Sequence, residues 1–512
     1  MPVMSIQPPP TTDRAAQPAG PQPRPAPDPR VDRAAAAIGP LLKALGDRRD
    51  FAVRFWDGRG FRATSDRQPR FTLVIRRPGA LGRMLTPPTD LAIGEAFVHG
   101  DFDVEGDIFA FVSLPDRLGA LPLGMRDWAR LVTRLRGLTD APPATAGRSA
   151  AELSGERHSA ARDQAAIRFH YDVGNEFYAL WLGERMVYSC AYFRTDDASL
   201  DEAQQAKLDL VLDKLGVRDG MRLLDIGSGW AGLLIRAAER FPNLTGVGIT
   251  LAERQHALSR ERIEAAGFGN RLRVELMDYR EAPVRLGRFD RIASIGMAEH
   301  VGERRMHAYF GAARDCLEPG GLFLNHAITA QPSRISPPGG GLLPGALGRL
   351  AARRSFIDAY VFPDGELMPL PVMLHAAQAA GFEVHHVESL RPHYARTLRY
   401  WVLGLEAHWD EAVALAGEAI ARTWRLYMAG AAIGFEAARL DVHQQLLALR
   451  RADGSSDAPM TPTRMPRARS APAGPVIHAR TRSARPRPGR CACSAGTRSV
   501  LQGWRARPPR AR

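Results

Sequence analysis

The chain has 512 residues, about 45% apolar and 24% charged, with 48 Gly and 39 Pro. That length suits roughly two to four domains, and the apolar fraction excludes a collagen-like or wholly disordered chain. The net charge of +14 is uneven, because residues 451–512 carry 14 Arg against two acids; the remaining 450 residues hold only +2, which excludes a basic body of the nucleic-acid-binding kind.

No run of 18 apolar residues occurs, so no transmembrane helix is expected. The start, Met1 to Pro10, lacks a basic stretch followed by an apolar run, which points to the cytoplasm. Four cysteines (Cys190, Cys316, Cys491, Cys493) are too scattered for a disulfide framework or a zinc site. Residues 1–45 are read as disordered, with nine Pro among the 23 residues from Pro8 to Arg30. From 50 to 115 a small α+β unit is expected: strands at Phe51–Trp56 and Phe71–Ile75, then a helix around Ile93, Phe97 and Val98. Residues 116–165 read as a linker.

A domain over 166–450 follows. Its first part, 167–193, holds eight aromatics in 27 positions, too dense for a surface and fit to pack, to line a cavity, or both. Strand–helix alternation then sets in, with strands at Arg222–Ile226, Leu244–Ile249, Arg271–Met277, Phe289–Ile295 and Gly321–Ile328. This pattern predicts a doubly wound, Rossmann-like α/β fold with a parallel sheet. A loop is expected at 331–347, mostly helix from Ser355 to about Arg450, and a disordered Arg/Pro-rich tail at 451–512.

Gly227-x-Gly229-x-x-Gly232 follows a strand and opens a helix, the context for a cofactor approached by backbone. A dinucleotide site wants an acid ending the second strand, but Gly248-Ile-Thr250 stands there. S-adenosylmethionine (SAM) fits better. Asp225 lies where a carboxylate meets the methionine end, and Asp278-Tyr279 lie where an acid and an aromatic meet the adenine.

Several stretches carry a family resemblance: His170-Tyr-Asp-Val-Gly-Asn-Glu-Phe-Tyr178, Tyr188-Ser-Cys-Ala-Tyr-Phe193, Leu224-Asp-Ile-Gly-Ser-Gly-Trp230, Gly248-Ile-Thr-Leu-Ala-Glu-Arg-Gln255, Ser294-Ile-Gly-Met-Ala-Glu-His-Val-Gly302 and Asn325-His-Ala-Ile328. Others are Phe356-Ile-Asp-Ala-Tyr-Val-Phe-Pro-Asp-Gly365 and Arg391-Pro-His-Tyr-Ala-Arg-Thr-Leu398. Across residues 50–450 the chain resembles the cyclopropane-fatty-acyl-phospholipid synthases, relatives of the mycolic acid cyclopropane synthases. The resemblance implies a SAM-dependent methyltransferase domain with an N-terminal lipid-binding domain. It further implies that the alkene of an unsaturated phospholipid attacks the SAM methyl, leaving a carbocation, and that bound bicarbonate removes a proton so that a ring closes. By position, Glu299, His326 and Tyr394, with the main chain at Cys190 and Ile328, would cradle the bicarbonate. A carboxylate facing an anion requires a shared proton, so Glu299 is expected to have a raised pKa. Tyr188, Ser189, Asp225, Gly227, Gly229, Gly232, Thr250, Gln255, Asp278 and Tyr279 would hold SAM. The resemblance also implies peripheral contact with the inner face of the membrane and is compatible with a homodimer.

Three departures stand out: Ser228 and Ala231 in the glycine loop, Ala431 where the family usually places a cysteine, and the tail. The competing readings are methylation without ring closure, a nucleic-acid methyltransferase using the tail, and a non-catalytic lipid-binding protein.

Overall fold

The computed structural model describes residues 28–46, 49–64, 68–119, 125–140, 148–331 and 354–461. The expectations for residues 1–27, for nearly all of the 331–347 loop, and for the tail beyond 461, with Cys491 and Cys493, lie outside them. The first sheet has four short strands, β1 (Phe51–Arg54), β2 (Gly60–Phe61), β3 (Phe71–Ile75) and β4 (Phe102–Gly106), in the order β2-β1-β3-β4. Phe51 and Phe71 sit opposite each other in the parallel β1–β3 pair, with rings stacked at 4.9 Å.

The helix Pro29–Ala44 corrects the disordered reading of 1–45. Asp28 caps it by accepting from the Arg30 N–H, Pro29 suits its first position, and Val31, Ala34, Ile38 and Leu42 form its buried face. The linker reading of 116–165 is also revised. Met125–Leu135 is a helix packed on Pro29–Ala44, and Ala160–Tyr171 is another. Between them the buried Arg148 donates to the carbonyls of Tyr360 (2.9 Å) and Phe169 (3.3 Å), and its charge lies over the Phe169 and Trp424 rings.

The second sheet contains β5 (Arg222–Ile226), β6 (Thr245–Thr250), β7 (Leu272–Leu276), β8 (Phe289–Ile295), β9 (Leu317–Ala330), β10 (Glu383–Ser389) and β11 (Leu440–Ala448). Their order is β10-β11-β9-β8-β5-β6-β7, with β5 to β9 parallel and β11 antiparallel to both neighbours. The sheet is therefore α/β and Rossmann-like but mixed, and the mostly helical reading of 355–450 missed two strands. Nearly all of β11 is buried, so it shows no alternation, and the adjacent Gln444 and Gln445 hide it further. Strand order reverses at β5, so a crevice opens at the carboxyl ends of β5 and β8.

One apolar core joins the N-terminal sheet and its helices to the helices Arg391–Ala407 and Glu418–Glu436. Arg422 is a buried polar tie across this joint, where Arg425 also reaches the Val104 carbonyl (3.2 Å). Arg422 is 4% exposed and donates to the carbonyls of Phe97 (3.2 Å) and Phe102 (3.4 Å) and to Asp103 Oδ2 (3.0 Å). At the far end, Arg291, 2% exposed, reaches Asp457 at 3.1 Å, so the start of the expected tail is bound to the body.

Truncating Arg422 to Met leaves the Phe102 carbonyl without its side-chain donor, the Phe97 carbonyl with the Gly100 N–H, and the Asp103 charge with Arg76 alone. Loss of roughly 3 kcal/mol is expected in denaturant unfolding, with faster amide exchange concentrated in residues 90–106. Unchanged stability would show that the tie contributes little.

Candidate functional site

β5 delivers Asp225 and then a turn whose backbone needs φ > 0 at Gly227 (+80°) and Gly229 (+53°). Ala231 also takes a left-handed φ of 62° before the helix Gly232–Arg240 begins. A Cβ at position 232 would come within 3.0 Å of the Arg185 carbonyl, so glycine lets the loop close against the aromatic segment. The cavity above the turn is lined by Tyr188, Ser189, Asp225, Gly227, Gly229, Gly232, Thr250, Gln255 and Tyr279. The Thr250 hydroxyl donates to Gln255 Oε1 (3.0 Å) and accepts from the Ala252 N–H (3.2 Å), which fixes the Gln255 amide at the helix start. Asp278 stands apart. It is not among the residues lining this cavity, and Arg280 engages its carboxylate at 2.7 and 2.6 Å.

Lys207, which the glycine-loop reading did not single out, also lines the cavity and is 1% exposed. It comes from the helix Leu200–Lys214, and its Nζ donates to Ser189 Oγ at 3.0 Å. Burial pushes Asp225 up to about 7 and Lys207 down to about 8. A carboxylate and an ammonium in one buried cavity complement the charged amine and carboxylate of an amino acid.

A second cavity of about 270 Å³ adjoins the first, with Tyr171, Tyr188, Ser189, Gly296 and His300 lining both. All five residues expected at the catalytic centre line it: Cys190, Glu299, His326, Ile328 and Tyr394. Glu299 sits on a one-turn 3₁₀ helix after β8, His326 and Ile328 on β9, and Tyr394 on Arg391–Ala407. The Gly296 N–H donates to the His326 carbonyl (2.8 Å), holding the ends of β8 and β9 together.

Glu299 Oε1 accepts the Ile328 N–H at 2.7 Å, so this main-chain donor positions the carboxyl group and is not free for an anion. Glu299 Oε2 is buried without a hydrogen-bond partner, and burial raises the group to about 7, as the sequence led us to expect. Its cause is desolvation, not a neighbouring acid. His326 is oriented by a chain of donors. Lys214 donates to Gln444 Oε1 (2.6 Å), which turns the Gln444 amide N–H toward His326 Nδ1 (3.3 Å) and leaves the imidazole proton on Nε2. Burial and the charges of Lys207 and Lys214 keep that imidazole neutral. His300 is likewise pushed down to about 4, and the Cys190 thiol and Tyr394 hydroxyl are pushed far up, so both stay protonated. Among the described residues no lysine or arginine lines this chamber.

The dense aromatics of 167–193 both pack and line. Phe177, Tyr178 and Trp181 are fully buried against Trp401 and Trp424, while Tyr171 and Tyr188 face the cavities. Tyr427, from the helix Glu418–Glu436, lines the chamber and was not anticipated, because nothing local distinguishes it from a core aromatic.

Residues 158–445 match the family model described as mycolic acid cyclopropane synthetase, and residues 41–114 match one described as a domain of unknown function. A probable fatty acid methyltransferase of Pseudomonas putida is 39% identical over 413 residues, covering 80% of this chain and 94% of that one. That match is longer than the chain from residue 158 onward, so the likeness extends into the N-terminal unit. Cyclopropane mycolic acid synthase 1 of Mycobacterium tuberculosis is 38% identical over 283 residues, 55% of this chain and 95% of that one. Among solved structures, a mycolic acid cyclopropane synthase complexed with SAH and CTAB superposes with a TM-score of 0.50 at 36% identity, over 56% of this chain and 98% of that one.

Two measurements test the electrostatics. Lys207→Met is expected to weaken SAM binding about tenfold by calorimetry, whereas 5′-methylthioadenosine, which lacks the amino-acid end, should bind both proteins alike. Equal losses for the two ligands would assign Lys207 to structure alone. Because the folded protein holds a proton on Glu299 from about pH 4.5 to about 7 while the unfolded chain releases it, this group lowers stability as pH rises through that window. Glu299→Gln should therefore gain on the wild type between those pH values, by a difference on the order of 3 kcal/mol in urea unfolding. A constant difference across the window would contradict the raised pKa.

Proposed function

The chain belongs to the mycolic acid cyclopropane synthetase family, and on that premise we propose that it converts the cis double bond of an unsaturated phospholipid acyl chain into a cyclopropane ring, using the methyl carbon of SAM. The observation that carries the reading is the pair of joined cavities. One holds the SAM-type residues, and the other is a mostly apolar chamber with Glu299, His326 and Tyr394 and, among the described residues, no cationic side chain on its wall.

SAM supplies an electrophilic methyl group, and bicarbonate, held as a small anion, would supply the base for the proton that must leave before the ring closes. The donor set suits such an anion. Glu299, neutral up to about pH 7, has Oε2 unpaired, His326 presents Nε2–H, and Tyr394 offers a hydroxyl. These groups position a proton acceptor without adding positive charge near a carbocation. The faces of Tyr171, Tyr188 and Phe362 shield that cation from water and favour it electrostatically. Asp225 and Lys207, both on the wall of the first cavity, would hold the methionine end of SAM, and Tyr279 the adenine. The atoms balance: the chain gains CH₂, one proton goes to the base, and S-adenosylhomocysteine leaves.

The small unit at 50–115 is assigned to lipid binding, since it is built onto the same core as the chamber helices. Among the described residues no helix is long and apolar enough to cross a membrane, so the substrate would be reached by peripheral contact with its inner face. The name of the Pseudomonas putida relative favours a second reading, in which the same alkene is methylated and the cation loses a different proton, giving a branched or methylene chain.

Purified protein with SAM, bicarbonate and vesicles of dioleoyl phosphatidylethanolamine should yield lipids heavier by one methylene and lacking the alkene. Upfield cyclopropyl protons in the NMR spectrum support ring closure, their absence beside a mass gain supports the second reading, and no mass gain rejects both. Glu299→Gln should lower turnover by about 100-fold or more while SAM affinity stays within about twofold.

A further inference from the structure

The chamber has a larger neighbour. A cavity of about 620 Å³ lies between the N-terminal sheet with its helices and the helix Glu418–Glu436, against about 270 Å³ for the chamber. Its wall is mostly hydrocarbon, built from residues such as Leu42, Phe51, Leu73, Met84 and Phe111, and among its described lining residues only Asp90 and Arg439 bear charge. Ile357, Leu367, Tyr427, Ala431 and Leu440 line both spaces. The two cavities therefore meet at one partition, on the side of the chamber away from the glycine loop.

We propose that the N-terminal cavity holds the arm of the acyl chain that runs on past the double bond, and that Gly430 and Ala431 keep open the passage through which it runs. This rests on the proposed lipid function and goes beyond it by naming where the chain lies and which residues select its length. A double bond in the middle of a long chain has a methylene arm on each side. If the bond sits beside Glu299, both arms must leave the chamber through apolar surroundings, since burying each methylene is favourable. The shared partition leads into the N-terminal cavity.

The helix itself is shaped for passage. Gly430 lies within Glu418–Glu436, where glycine is the poorest choice after proline. Nothing in the backbone demands it, and a Cβ at this position would meet no atom within 4 Å. The space it faces is the cavity. Ala431, one residue on, has only a methyl group between the two spaces. Ala431 thus puts only a methyl group on the partition, and Gly430 beside it leaves the N-terminal cavity unobstructed, so a larger residue at either position would project into the space the chain needs. The solved mycolic acid cyclopropane synthase covers 56% of this chain, whereas the fatty acid methyltransferase relative extends into the N-terminal unit, so the cavity belongs to the longer architecture.

The test uses the full chain with Gly430→Leu and, separately, Ala431→Phe. Gly430→Leu replaces a helix-interior glycine in open space, so it should melt no lower than the wild type, and its SAM affinity should stay within about twofold. Calorimetry with hexadecyl- and octyltrimethylammonium below their micelle concentrations reads the passage directly. Affinity for the hexadecyl chain should fall about tenfold or more, and for the octyl chain by about threefold at most. Equal losses for both, or no loss for either, would overturn the proposal, as would an octyl chain more affected than the hexadecyl. Turnover on palmitoleoyl, oleoyl and cis-vaccenoyl phospholipids then tells which arm is held. The first two share the carboxyl-side arm, and the first and third share the methyl-side arm. A selective fall for oleoyl places the methyl arm in the cavity, a selective fall for cis-vaccenoyl places the carboxyl arm there, and a uniform fall or none counts against the passage. If the wild type converts none of these lipids, the proposed function fails, while the alkyl-chain pair still decides the passage.

Discussion

A carboxyl group that keeps its proton near neutral pH inside a mostly apolar chamber is the constraint on which the rest of the molecule turns. Glu299 meets it because one oxygen is anchored by the Ile328 N–H and the other faces space that no protein donor fills. Were the chamber wet, the group would ionise at the usual carboxylate pH. Everything around it preserves the opposite condition. His300 and His326 are held neutral by burial, the tyrosine hydroxyls stay protonated, and the nearest buried lysines stand behind the wall. Lys207 serves the adjoining cofactor cavity and Lys214 orients His326 through Gln444, so both positive charges act on the chamber indirectly.

Dryness of this kind cannot come from the α/β sheet alone. The sheet offers strand ends and a crevice, open to solvent by construction. Closure comes from the aromatic segment below and from the helices Arg391–Ala407 and Glu418–Glu436 above. These helices share one core with the N-terminal sheet, and Arg422 and Arg148 tie the layers where apolar packing leaves carbonyls to satisfy. The N-terminal unit therefore backs the helices that close the chamber and forms the wall of its own cavity.

The legible part of this arrangement was the part written locally. Strand–turn–helix spacing around Gly227, Gly229 and Gly232 marks the cofactor turn, because φ > 0 restricts residue choice at the site itself. Glu299, His326 and Tyr394 were found by the stretches around them, and they converge on one chamber. What escaped was set by partners distant in sequence. Lys207 reads as one cation on an amphipathic helix until Ser189 and Asp225 are brought beside it. Strand β11 is concealed because burial on both faces removes its period and two glutamines lower its apparent hydrophobicity. The helix Pro29–Ala44 was masked by the prolines before it, although its own alanines and its aspartate cap favour it. Asp278 shows the same dependence on context: its carboxylate is paired with Arg280, and it is not among the residues lining the cofactor cavity.

Ala431 bears on the choice of base as well as on space. A cysteine at this position would offer the chamber a second thiol, but here there is a methyl group. The remaining thiol, Cys190, lies against the carbonyls of Ala191 (3.2 Å) and Leu390 (3.7 Å) and is pushed so far up by burial that its thiolate is inaccessible. His326 has its proton on the nitrogen left to the chamber and its other nitrogen engaged by Gln444. Burial likewise pushes the Tyr394 hydroxyl up and keeps it protonated. Each side chain is thus better equipped to donate a hydrogen bond than to take a proton from carbon. Under the proposed reaction the acceptor must then be a small guest held by these donors, and that requirement explains why a chamber with no cationic side chain among its described lining residues retains, beside the Arg354-paired Asp358, a buried carboxyl group with one oxygen free.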